Sequence, residues 1–94
     1  MQPAIYILSS QARGTLYVGV TSDLIARVWQ HKNNVVEGFT QKYGVHTLVY
    51  FELHATMYDA ISREKQLKAG SRMKKVALVE ATNPDWHDLY PDLL

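Results

Sequence analysis

The stretch Ala4-Ile-Tyr-Ile-Leu-Ser-Ser-Gln-Ala-Arg-Gly-Thr-Leu-Tyr-Val-Gly-Val-Thr21 decides how this chain folds. Two strand-like runs, Ala4–Leu8 and Thr15–Thr21, flank the turn-rich Ser9-Ser-Gln-Ala-Arg-Gly14. That pattern predicts a β-hairpin with a loop of about six residues. Alternation puts Leu16, Val18 and Val20 on one face and Tyr17 and Gly19 on the other. A hairpin symmetric about that loop sets Tyr6 directly opposite Tyr17, with Cβ atoms about 5 Å apart. Gly19, on the same face, leaves open space beside the tyrosines.

Working outward, Thr21-Ser-Asp23 combines a hydroxyl cap with a first-turn acid and predicts a helix to about Asn33, with Leu24 and Val28 inward. Arg27 and His31, four residues apart, flank that apolar line. Gly38 and Gly44 bracket a short helical turn carrying Lys42 and Tyr43. Thr47-Leu-Val-Tyr-Phe-Glu-Leu53 reads as the clearest strand. Thr56-Met-Tyr-Asp59 resembles a capping box and opens a helix expected to bury Met57, Ala60, Ile61 and Leu67. Gly70 ends it, Ser71 caps another reaching Glu80, and Thr82-Asn-Pro-Asp-Trp86 breaks the pattern. The order β-β-α-(α)-β-α-α predicts an α+β fold, a small three-stranded antiparallel sheet flanked by helices. One domain is expected over residues 1–86, with 87–94 as an acidic tail.

Composition narrows the function classes. Of the 94 residues 47% are apolar, there are three prolines and no cysteine, so a folded globule without disulfides or thiolate chemistry is expected. The N-terminus has no secretory pattern and no apolar run approaches a membrane span, which predicts a cytoplasmic protein. The net charge of +1 hides an asymmetry. Residues 80–94 contain four acids and no Lys or Arg, leaving ten basic against five acidic side chains before them. Six of the basic residues, Arg63, Lys65, Lys68, Arg72, Lys74 and Lys75, form a cluster able to track a phosphate backbone.

Two charges stand where apolar residues belong. Arg27 interrupts the stripe of the first helix, and Glu64 lies three residues after Ile61 and seven after Met57. Such positions are costly unless paired, hydrogen-bonded or metal-bound. With Tyr6 and Tyr17 they supply the parts phosphodiester hydrolysis needs: a base for water, a cation for the phosphate, and a carboxylate for a hard metal ion. Taken singly, each has an ordinary explanation. Tyrosines pack, Arg27 and Glu64 can form a structural bridge, His31 can be an exposed helix residue, and Asn83 before Pro84 can be a turn former.

Taken together, the residues resemble the GIY-YIG nuclease superfamily, in its small stand-alone bacterial form. Ala4-Ile5-Tyr6 stands eleven residues before the Tyr of Tyr17-Val18-Gly19; Arg27 follows ten residues after Tyr17, and His31 one helical turn later. Glu64, in Ser62-Arg-Glu-Lys-Gln-Leu67, matches the metal-binding glutamate, and Asn83 a polar residue near the end of the domain. The resemblance covers about residues 3–86. It implies a divalent-metal-dependent endonuclease with one Mg²⁺ or Mn²⁺ on Glu64 and a water activated by a tyrosine. Tyr17 is the expected base and Tyr6 its partner, or the two roles are exchanged; Arg27 is the phosphate stabiliser and His31 the group that orients or deprotonates the tyrosine. DNA is the expected partner, with RNA left open. Contacts are expected from Gly19, Lys42, Tyr43, Arg63, Lys65, Lys68, Arg72, Lys74 and Lys75.

Two departures qualify the match. Ala4 replaces the first glycine of the motif, and no additional DNA-binding module is present in the sequence. Selectivity would then come from substrate shape or a protein partner, or be absent. The rival readings are a catalytically idle nucleic-acid-binding domain and an interaction domain in which Arg27–Glu64 is structural.

Overall fold

Every position of the strand Ala4–Ser9 (β1) is buried, which marks it as the middle of a sheet rather than an edge. In the computed structural model, which describes residues 1–36 and 38–94, β1 lies between Leu16–Thr21 (β2) and Thr47–Leu53 (β3). Both neighbours run antiparallel to it. Helices Leu24–Lys32 (α1) and Phe39–Tyr43 (α2) separate β2 from β3; Met57–Ala69 (α3) and Arg72–Thr82 (α4) follow. The expected α+β architecture is therefore the observed one.

The register differs from the symmetric hairpin. Tyr6 pairs with Gly19, and Tyr17 with Leu8. The pairing is shifted by two residues, and the loop shortens to 11–14, closed between Ser10 and Thr15 by a backbone hydrogen bond of 3.0 Å and a bond from the Thr15 amide to Ser10 Oγ at 2.9 Å. This shift moves Tyr6 across from glycine, and the space expected above Gly19 is filled. A Cβ there would overlap the Tyr6 ring and hydroxyl.

Side-chain caps start the three longer helices, Thr56 and Ser71 as expected, and Asp23 in place of the expected hydroxyl with no acid left in the first turn. Asp23 accepts from the Ala26 amide (3.1 Å), Thr56 from Asp59 (3.1 Å) and Ser71 from Lys74 (3.2 Å), each worth about 1 kcal/mol. In α3 the inward line runs through Ala60 and Leu67. Ile61, one residue and about 100° around from Ala60, is exposed rather than buried, and Met57 is half-buried.

The two faces of the sheet carry separate cores. On one, Ile5, Ile7, Val18 and Val49 pack with Ala60, Leu67, Val79 and Trp86 from α3, α4 and the turn beyond. A bulge between Ile7 and Leu8 in the β1–β3 pairing accompanies the placement of Val49 and Tyr50 against this same cluster. On the other, Ala4, Tyr6, Leu8 and Leu48 pack with Leu24, Val28 and Val45. Residues 87–94, expected as a tail, return to this second face. Leu89, Tyr90 and Leu93 pack on it, Asp88 pairs with Lys32, and the Leu89 amide donates to Leu48 O at 2.7 Å. Among the described residues no helix is long and apolar enough to cross a membrane.

Candidate active site

Alternation along β1 aims Tyr6 at the second face, and α1 crosses that face with His31 inward. The Tyr6 hydroxyl meets His31 Nε2 at 3.0 Å, and His31 Nδ1 meets Thr40 Oγ1 at 2.9 Å. All three side chains are buried, at 2%, 1% and 2% exposure. Thr40 is the buried residue of the five-residue helix α2, so this short helix delivers one hydroxyl to the imidazole. Gly38 (φ 105°) and Gly44 (φ 64°) flank it, in backbone conformations that favour glycine.

Burial, reinforced by Arg27 and His46, lowers His31 to about pH 4, so the imidazole is neutral at neutral pH. Burial also raises the Tyr6 phenol far above its usual range. Tyr17 and Glu64 push it up further, while Arg27 pulls it down. Tyr6 is therefore a neutral phenol. Tyr6 O–H donating to Nε2, with Nδ1–H donating to Thr40, is one arrangement that satisfies both bonds of the neutral ring. The charges of Arg27 and Glu64 both act on Tyr6, which draws α1 and α3 into one electrostatic neighbourhood with the tyrosines.

Tyr17 completes an aromatic cluster. Its ring lies 6.3 Å from Tyr6 and 5.5 Å from His31, centroid to centroid. Unlike Tyr6 it is only half-buried, and it borders an open groove with Phe39, Lys68 and Lys75. Glu64 is 16% exposed and has Lys68 Nζ at 3.4 Å. Among the described residues Arg27 and Glu64 form no salt bridge with each other. No group of three or more His, Cys, Asp or Glu among the described residues is placed to share a metal ion.

The structure thus brings Tyr6, Tyr17 and His31 together, with Arg27 and Glu64 in electrostatic reach of Tyr6. Other expected residues fall elsewhere. Asn83 caps α4, and its amide is consumed by the chain reversal. It donates to Val49 O (3.1 Å) and His87 O (2.9 Å) and accepts from the His87 amide (3.0 Å). These bonds give Asn83 a structural part at the end of α4. Gly19, expected to touch nucleic acid, is buried beneath Tyr6.

The basic cluster is partly consumed as well. Arg63 forks onto Glu52 at 3.0 Å, Arg72 donates to the carbonyls of Arg13 and Gly14, and Lys75 donates to Gly70 O at 2.8 Å. Arg63 and Arg72 thus each have hydrogen-bond partners within the chain. Lys65 and Lys74 are exposed, as are Lys42 and Tyr43 on α2. Sequence reasoning missed Thr40 and Phe39. The usable signal was Phe39-Thr-Gln-Lys-Tyr43 between two glycines, with its aromatics four apart.

Comparison with known proteins shows the family of the chain. A family model described as the GIY-YIG catalytic domain matches residues 2–76, and the chain belongs to that family. The chain is 35% identical over 75 residues to UPF0213 protein SSP2268 of Staphylococcus saprophyticus, covering 80% of this chain and 90% of that one. It is 33% identical over 76 residues to UPF0213 protein SA0446 of Staphylococcus aureus strain N315, covering 81% and 92%. The solution NMR structure of UPF0213 protein BH0048 from Bacillus halodurans is similar with a TM-score of 0.58 at 27% identity, covering 94% of this chain and 93% of that one.

Proposed function

We propose that this protein is a divalent-metal-dependent endonuclease that hydrolyses DNA phosphodiester bonds. The observation that carries the reading is the meeting of Tyr6, Tyr17 and His31 on one face of the sheet, with the charges of Arg27 and Glu64 both acting on Tyr6. There, polar groups displace the apolar packing that stability alone would favour. Their family membership adds to it.

The donor set fits a hydrated hard cation. Glu64 is one partly accessible carboxylate with only a lysine at 3.4 Å, and Mg²⁺ or Mn²⁺ keeps most of its waters and takes one or two protein oxygens. When bound, such an ion supplies positive charge against the phosphate and its leaving oxygen. Arg27 offers a fork of donors matched to phosphate oxygens. Tyr6, held as a neutral phenol, serves as a hydrogen-bond donor and not as a base. That leaves Tyr17, which borders the open groove, to accept the proton of the attacking water as its phenolate, having first released its own phenolic proton to solvent. His31 and Thr40 hold Tyr6 in place.

The test is cleavage of labelled single-stranded, duplex, flap and branched DNA in Mg²⁺ or Mn²⁺ against EDTA. Metal-dependent cutting that leaves 5′-phosphate ends, reduced at least about a hundredfold in Tyr17→Phe, is the expected result. Cutting that persists in EDTA, or at wild-type rate in Tyr17→Phe, would overturn the mechanism.

A further inference from the structure

Two large aromatic side chains lie open to solvent next to the candidate base. Phe39 and Tyr43, at 44% and 49% exposure, sit one turn apart on α2 with ring centroids 4.8 Å apart. The Phe39 ring is in turn 6.0 Å from Tyr17. Lys42 Nζ stands 5.4 Å from the Tyr43 ring centre, which puts a cation at the rim. The surface is held in place, because Thr40 between them is buried and bonded to His31. Leaving two such rings in water gains nothing for the fold.

We propose that Phe39 and Tyr43 form a stacking platform for an unpaired nucleobase beside the scissile phosphate, so that the enzyme selects single-stranded DNA. This deepens the endonuclease reading and rests on it. The platform continues directly from Tyr17 through the groove that Tyr17 and Phe39 share with Lys68 and Lys75. A nucleotide whose phosphate lies at Tyr17 therefore brings its neighbouring base to Phe39. Stacking on protein aromatics needs a free base face and tolerates any sequence. Within a duplex both faces of each base are already covered, so paired DNA presents only its backbone to this surface. The ammonium of Lys42 complements the phosphate of the same strand.

The test measures binding in EDTA, apart from cleavage, using a 12-mer carrying 2-aminopurine as a single strand and as a duplex. Wild type is expected to quench the single strand and to bind it at least about tenfold more tightly than the duplex. Phe39→Leu with Tyr43→Leu should weaken single-strand binding about 5- to 150-fold and abolish the quench, with little change for the duplex. Lys42→Ala should weaken both forms alike. If the double variant melts abnormally, the single variants carry the test, and Tyr43→Trp should restore the quench. Equal affinity of wild type for both forms, or unchanged quenching in the folded leucine variants, would overturn the proposal. Failure of the endonuclease reading shows itself separately, as no metal-dependent cutting of any DNA.

Discussion

The two faces of the central strand solve the same packing problem with different materials. Ile5 and Ile7 point to one face and meet Val18, Val49, Ala60, Leu67 and Val79, so that side is filled with aliphatic groups. Tyr6, between them in sequence, points to the other and meets His31, Gly19 and the Tyr17 ring. Each polar atom there must be matched, because an unpaired buried donor or acceptor costs about 1–3 kcal/mol. The Thr40–His31–Tyr6 bonds meet that requirement at 2.9 and 3.0 Å. The aliphatic face holds the fold; the polar face holds geometry. Changes on the two faces should therefore separate stability from activity.

The largest effect on stability is expected on the aliphatic side. Ile7 is fully buried, and Ile7→Ala should cost about 2–5 kcal/mol. For a domain of this size that lowers the melting temperature by more than about 8 °C, while the folded fraction keeps wild-type cleavage. Thermal melts paired with rates corrected for folded protein check this.

Gly19→Ala is expected to be smaller in stability and larger in activity. The added methyl meets the Tyr6 ring, so either the ring or β2 must shift, at about 1–3 kcal/mol. The Tyr6–His31 bond is lost with that shift, and cleavage should fall at least tenfold. A melt and a rate measurement on this variant sharpen the contrast with Ile7→Ala. Unchanged cleavage would show that the position of the Tyr6 ring does not matter.

A further contrast is a pH dependence on the polar side alone. His31 ordinarily titrates near 6.5 and is held at about 4 when folded, by burial first and then by Arg27 and His46. Between those values the unfolded chain binds the proton and the folded chain does not, so this contribution is complete above about pH 6.5 and is lost as pH falls towards 4. His31→Gln removes the titration, so its melting temperature should vary less than that of wild type across this window. Parallel curves for the two proteins would contradict the assignment.

Much of the fold was legible because local signals sufficed. Alternation marked β1 and β2, Asp23, Thr56 and Ser71 announced helix starts, and Gly38 and Gly44 bracketed α2. The hairpin register was not, since shifting the pairing by two residues preserves alternation while changing every partner. The triplet motifs, Arg27 and Glu64 identified the candidate site, but not which tyrosine His31 holds. That depends on α2 and on the packing of α1, and the partner proved to be Tyr6. The bonds made by Asn83 and by the basic cluster were not legible for a common reason. Their partners, Val49 for Asn83, Glu52 for Arg63 and the 13–14 carbonyls for Arg72, are distant in sequence and are brought close only by the fold.

The central claim is that the polar side is kept for chemistry and not for stability, and Glu64 tests it most directly. Among the described residues its ion-pair partner is the half-exposed Lys68, so removing it should change stability by no more than about 0.5 kcal/mol, roughly 2–4 °C. The measurement is a thermal melt of Glu64→Ala beside its metal-dependent cleavage of DNA. A near-wild-type melt with cleavage abolished is the result expected here. A large fall in melting temperature with residual cleavage intact would instead make Glu64 a structural residue and remove the proposed metal site.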